Sequence, residues 1–265
     1  RNCCCSLFDR LLWHALAGGP DMKAEEKLFT QLSALADYAR MLVCFLELPT
    51  RQLAAGLVNG AFAADLRRIF TELGVDACIR DMLEQHILSL STDVPLEKEV
   101  HILREEYTRL FTHPERAELS LYEAVFRYQQ ERDQQEAPLL FISPAAMDAR
   151  RFYRDYGFAA ADRMNVSDDH LARELGFLAY VLVHEAGTMY GGGDEITNWR
   201  ECRNDFVRLH LSRWAGPFFK QCAQKAACPE YVFVGWLGLE YLHNINRLSL
   251  GCEKCYTQNN DFRVE

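Results

Sequence analysis

Apolar residues along this chain recur at steps of three and four. Leu28, Leu32, Leu35, Ala39 and Leu42 define one amphipathic stripe, which Pro49 stops. Leu66, Ile69, Phe70 and Leu73 repeat the pattern, and Gly74 stands where a left-handed helix cap belongs. Met82, Leu83, Ile87 and Leu90 follow, and the next helix starts at or soon after Pro95 and reaches about Phe111. Ser120 is placed to cap a helix from Leu121 to about Gln135. Pro144 opens another in its first turn, which Gly157 ends. Ser167 suits an N-cap, with Asp168 and Asp169 complementing the dipole of the first turn of a helix that runs to about Ala186. Gly191-Gly192-Gly193 is a break. A long helix from about Asp194 to Cys222 follows, which Gly216-Pro217 kinks or divides, and the last helix covers Glu230 to Leu250. No stretch sustains period-two alternation. The expectation is an all-α fold: a single globular helical domain of about ten helices, with a hinge near residues 137–144 and no internal repeat. Residues 1–21 read as an N-terminal extension, 22–250 as the helical domain and 251–265 as a Cys-containing tail.

Composition narrows the function. The 265 residues carry 29 basic and 38 acidic side chains, a formal charge of −9, which argues against a non-specific nucleic-acid binder and better suits a cationic partner. Hydrophobic residues at 49% and charged residues at 25% are globular values. The longest apolar stretch, Leu175–Val183, is too short to cross a bilayer, so no membrane insertion is expected. Asp9 and Arg10 interrupt the apolar run that ends near Ala15-Leu16-Ala17, which argues against a secretory signal. The ten cysteines sit in a chain with an ample core, so most read as reduced thiols in a cytosolic protein.

Motifs for catalysis are missing. There is no G-x-x-x-x-G-K-[ST] loop, no G-x-S-x-G elbow, and His184-Glu185 lacks the second histidine of H-E-x-x-H. Glu240-x-x-His243 is a single pair where a di-iron bundle needs two. No enzyme and no cofactor is expected. The rival is a helical metal-binding or redox protein. Cys252-x-x-Cys255 has ligand spacing, and Cys222 and Cys228 could complete a four-thiolate zinc site, although their own spacing is loose.

Three segments are more specific. The first is Glu106-Tyr107-Thr108-Arg109-Leu110-Phe111, with Ser120-Leu121-Tyr122-Glu123 after a short loop. The second is Phe152-Tyr153-Arg154-Asp155-Tyr156-Gly157-Phe158, then Asp168-Asp169-His170-Leu171-Ala172-Arg173-Glu174-Leu175-Gly176-Phe177. The third is Phe206-Val207-Arg208-Leu209-His210-Leu211-Ser212-Arg213-Trp214. In this order and spacing they resemble the TorD/DmsD/NarJ family of redox-enzyme maturation chaperones, over about residues 25–250. The resemblance implies a cytoplasmic, all-helical, non-catalytic chaperone, monomer or homodimer. Its partner would be the catalytic subunit of a molybdenum oxidoreductase, whose twin-arginine signal peptide it binds during cofactor loading. It also implies peptide-binding positions at Tyr107, Leu110, Phe111, Leu121, Tyr122, Asp169 and His170, with Glu123 beside them. Leu121 and Ser167 stand where the family often has proline.

On their own terms these residues allow two readings. Tyr107, Leu110 and Phe111 lie at helical spacing near a helix end, Tyr122 and Phe126 are one turn apart, and Glu118 and Glu123 supply acidic groups for a basic peptide. Equally, Leu110 and Phe111 read as core, Asp169 as a dipole partner, and His170 with Glu174 as an i,i+4 surface pair. His210 and Trp214 read as packing residues, and Glu174 and Arg213 as ion-pair formers.

Overall fold

The computed structural model of the protein describes residues 20–89, 94–130, 138–159, 166–189 and 198–250. Ten helices form among these residues: α1 (Pro20–Leu46), α2 (Arg51–Val58), α3 (Ala61–Leu73), α4 (Ala77–Ser89), α5 (Leu96–Tyr107, extended by the π turn Thr108–Thr112), α6 (Glu123–Gln130), α7 (Pro144–Asp155), α8 (Leu171–Thr188), α9 (Trp199–Phe206, the π turn Val207–Leu211 and Ser212–Lys225 in unbroken succession) and α10 (Pro229–Leu250). The all-α expectation holds. Among the described residues the β-type pairing is confined to an isolated antiparallel bridge between Tyr122 and His170.

The punctuation of the sequence acts as its chemistry demands. Gly74 caps α3 at φ 64°, Gly157 follows α7 at φ 70°, and Pro144 sits in the first turn of α7 behind the N-cap Ser143, whose hydroxyl accepts from the Ala146 N–H. Other readings shift. Helix α2 was not anticipated. Its signal is Thr50, whose Oγ1 accepts from the Leu53 N–H at 3.2 Å, ahead of buried Leu53, Ala54 and Leu57. Pro217 lies inside Ser212–Lys225 without dividing it. Helix α6 starts at Glu123 instead of Leu121, and α8 at Leu171 instead of just after Ser167, because residues 121–123 and 169–171 pair with each other. The Gly191–Gly193 break, residues 1–19, the 251–265 tail and the first part of the 137–144 hinge lie outside the described residues.

Helix α1 packs along α8 and α10, and α9 along α10. The α1 stripe meets α8 through fully buried Leu175, Leu178 and Leu182. Two buried phenols tie α1 to α10: Tyr38 Oη donates to the Leu237 carbonyl at 2.8 Å, and Tyr231 Oη to the Phe45 carbonyl at 3.0 Å. Satisfied in this way, the hydroxyls cost little to bury. A second, aromatic cluster joins α7, α8 and α9 through Phe152, Tyr153, Phe177 and Phe206. Among the described residues no single helix is long and apolar enough to cross a membrane. Lys23–Leu46 with Arg51–Val58 reach that length and composition only as a pair bent by 116°.

Close approach of α9 and α10 depends on glycine. A Cβ at Gly238 would fall into the ring of Phe219, which is fully buried and cannot move aside. Helix propensity alone favours alanine by about 1 kcal/mol, but overpacking costs about 1–3 kcal/mol. Gly238→Ala should therefore lower stability, whereas Gly56→Ala in α2, with nothing within 4 Å of the added carbon, should raise it by about 0.5–1 kcal/mol. Urea unfolding of the two variants checks the opposite signs.

A buried acid gives a pH signature. Glu99 of α5 is 2% exposed, and its Oε1 lacks a hydrogen-bond partner. Burial, then the charge of Glu230, push its pKa up to about 7. The fold thus favours the protonated acid. That contribution is present below the ordinary carboxylate range and is lost as pH rises through about 7. Glu99→Gln should raise the melting temperature at about pH 8 and change it little at about pH 4, which thermal scans at both values test.

Candidate functional site

The starts of α6 and α8 are 48 residues apart in sequence and meet edge to edge. The Glu123 N–H donates to the Asp169 carbonyl at 2.9 Å, and the Leu171 N–H to the Leu121 carbonyl at 2.8 Å. Both helix N-termini would otherwise hold unpaired donors in the interior. Asp169 caps the opposite helix: its Oδ2 accepts from the Ala124 N–H at 3.1 Å. His170 is the N-cap of its own helix, with Nδ1 accepting from the Ala172 N–H at 3.2 Å. Burial, followed by the nearby Arg173 charge, pushes the pKa of His170 down to about 4, so the ring is neutral and its lone pair is free to accept. Ser120 Oγ accepts from the Tyr122 N–H at 3.2 Å, one residue short of the capping role its position suggested. The His170 ring meets the Tyr122 ring edge-on at 5.1 Å between centroids.

The turn before α8 is clamped from outside. Asp168 receives Arg150 Nε at 2.6 Å and Arg173 Nη1 at 2.7 Å, and its carbonyl accepts from Tyr153 Oη at 2.8 Å. Beneath the junction lies an ionic network. His210, in the π turn of α9, brings Nδ1 to 2.8 Å from Glu123 Oε2, while its Nε2 lies 3.3 Å from Asp148 Oδ2 of α7. Arg127 Nη1 donates to Glu123 Oε1 at 2.9 Å, and Trp214 Nε1 to Glu174 Oε2 at 3.3 Å. Burial, then the charges of Glu123 and Asp169, hold Glu174 well above the ordinary carboxylate range. Glu123, Glu174 and His210 each place a donor atom within 4.8 Å of the others.

Most of the expected peptide-binding side chains are interior. Leu110, Leu121, Glu123, Asp169 and His170 are at most 2% exposed, and Tyr107 and Phe111 are buried. Phe111 packs edge-on to Tyr107 at 5.4 Å and to Tyr231 at 5.8 Å, and stacks on Phe218 at 5.9 Å. The structure joins Leu121, Tyr122, Glu123, Asp169 and His170 in one place, and Tyr122 is their half-buried, outward member. The reading of His170 and Glu174 as a surface pair is overturned. Both are buried, one serving as a cap and the other bonded to Trp214. His210, Trp214, Asp148 and Arg127 belong to the site and were not anticipated in it. His210 is 87 residues from Glu123, and no spacing rule connects them.

The cysteine alternative gains nothing here. Cys222 is buried, donates to the Tyr231 carbonyl, and burial pushes its thiol up to about 12, while the Cys228 thiol is raised further. Among the described residues neither thiol belongs to a cluster of three or more metal-donor side chains. Cys252 and Cys255 lie outside the described residues. Large apolar side chains do reach the surface at Leu139, Phe141 and Ile142 and, at the start of α7, Met147.

Residues 76–220, more than half of the chain and the whole of this site, match the nitrate reductase delta subunit family. The chain is also 25% identical over 97 residues to the chaperone protein TorD of Vibrio cholerae serotype O1. That stretch covers 37% of this chain and 43% of that protein, so it spans less than half of the relative.

If Asp169 holds α6 by capping, its effect should track the acceptor oxygen and not the charge. Asp169→Ala should lose about 1–2 kcal/mol, while Asp169→Asn, an equally good cap, should keep most of it. Equal losses in urea unfolding would show that the cap is not what Asp169 contributes.

Proposed function

The chain belongs to the nitrate reductase delta subunit family, and we propose that it is a cytoplasmic chaperone for the catalytic subunit of a molybdenum oxidoreductase. In this reading it binds that subunit's twin-arginine signal peptide while the cofactor is loaded, and it has no catalysis of its own. The observation that carries the reading is the coincidence of the family match with the 121–123/169–171 junction, a braced platform that presents Tyr122 outward. A curated relative named as a chaperone supports it at low identity.

A signal peptide of this type offers a basic pair and an apolar stretch. We assign the apolar stretch to Tyr122 together with Leu139, Phe141, Ile142 and Met147, which are exposed on the described surface. Met147 precedes Asp148, which lies beside His210 and through it reaches Glu123, the neighbour of Tyr122. The basic pair meets a chain of charge −9, which favours encounter with a cation more than it adds final affinity. Tyr107, Leu110, Phe111, Leu121, Glu123, Asp169 and His170 then serve the peptide from behind: they fix the backbone that carries Tyr122, and Asp169, already engaged as a cap, acts as a positioning residue.

Titration of a labelled twin-arginine signal peptide tests this. Binding should weaken as salt rises yet keep an apolar component. Tyr122→Ala should weaken it at least tenfold with the melting transition little changed, since aromatic anchors commonly carry about 2 kcal/mol or more. Unaltered affinity, or an unfolded variant, would return Tyr122 to the core.

A further inference from the structure

We propose that Glu123, Glu174 and His210 form a binding site for one first-row divalent cation of the zinc class. The three side chains come from the first residue of α6, the first turn of α8 and the π turn of α9, a kind of distortion frequent at functional sites. Two of them have one oxygen held from outside the cluster: Arg127 takes Glu123 Oε1 and Trp214 takes Glu174 Oε2. His210 Nε2 makes no hydrogen bond and lies 3.3 Å from Asp148 Oδ2. That leaves Glu123 Oε2, Glu174 Oε1 and His210 Nδ1. The first and last are 2.8 Å apart, and Glu174 Oε1 has no hydrogen-bond partner, although Glu174 is fully buried.

This is the arrangement a metal site needs around its ligands. In metal sites a carboxylate bonded to the distal histidine nitrogen fixes the tautomer; Asp148 stands 3.3 Å from that nitrogen, a small shift from the role, and both ligating carboxylates are themselves hydrogen-bonded. One imidazole and two carboxylates suit zinc, iron or cobalt in the divalent state, at about 2.0–2.2 Å per bond. Donor atoms within 4.8 Å of one another close onto one ion through small side-chain adjustments.

The charge balance points the same way. Glu123, Glu174, Asp169 and Asp148 face this cluster, against Arg127 and the titratable His210. Asp148, 33% exposed, is a group beside the cluster that reaches solvent, while the three ligand side chains are buried. The inference does not rest on client binding. Its cation would brace α6, α8 and α9 whether or not the chain takes a signal peptide.

Cobalt titration of the full-length, chelator-treated and desalted chain tests it. The expected result is one equivalent of Co2+ with d–d absorption and no thiolate-to-cobalt charge-transfer band, displaced by Zn2+, together with a rise in melting temperature. Glu174→Gln keeps the volume and an acceptor for Trp214, and should weaken binding at least tenfold with secondary structure unchanged. Should that variant fail to fold, His210→Gln decides. Absence of binding, a spectrum dominated by thiolate charge transfer, or wild-type affinity in the folded variant would each overturn the site.

Discussion

Two backbone N–H groups, those of Glu123 and Leu171, govern the organisation of this protein. Each begins a helix in the interior, where an unpaired donor costs about 1–3 kcal/mol. Each is satisfied by a carbonyl of the other segment. Once that exchange is made, α6 and α8 must start side by side. Asp169 can then reach the Ala124 N–H, and Glu123 and Glu174 are brought under the same junction. The arginine clamp on Asp168 and the Tyr153 bond to its carbonyl hold the turn from the other side.

The cost of this architecture is a concentration of acids in the buried interior. An isolated buried carboxylate is strongly disfavoured, so each must be paired, hydrogen-bonded or neutral. Glu123 has Arg127 and His210, Asp169 accepts backbone N–H groups, and burial shifts Glu174 toward its neutral form. The polar network resists rearrangement because displacing one member strands another. A rigid mount of this kind suits a surface that must present Tyr122 in one orientation to a flexible, partly apolar peptide, since an ordered receptor lowers the entropy lost on binding.

The parts of the fold that depend on local chemistry were legible in the sequence. The α1 stripe, the left-handed Gly74 and Gly157, and Pro144 at a helix start each act through their own residue or near neighbours. The site was legible only in outline. Segments around Tyr122 and Asp169-His170 stood out, but their pairing is a contact between distant stretches. Ser120 and Ser167 are good local caps, and both lose the role to residues supplied or positioned by that pairing. The same cause misled the reading of His170 and Glu174: helical spacing placed them on a surface, and tertiary burial turned them inward. His210 stood out only within the Phe206–Trp214 segment and read as a packing residue, because its role depends on Glu123, 87 residues away.

Amide hydrogen exchange with and without a twin-arginine signal peptide tests the central claim, that the junction is a preformed mount and the client lies on the face outside it. The amides of Glu123, Ala124, Leu171 and Ala172 should already be protected to near the global limit in the free chain. Peptide should add protection at Tyr122 and across residues 138–147 while leaving those four unchanged. Rapid exchange of the four in the free chain, or peptide protection confined to other surfaces, would contradict the account.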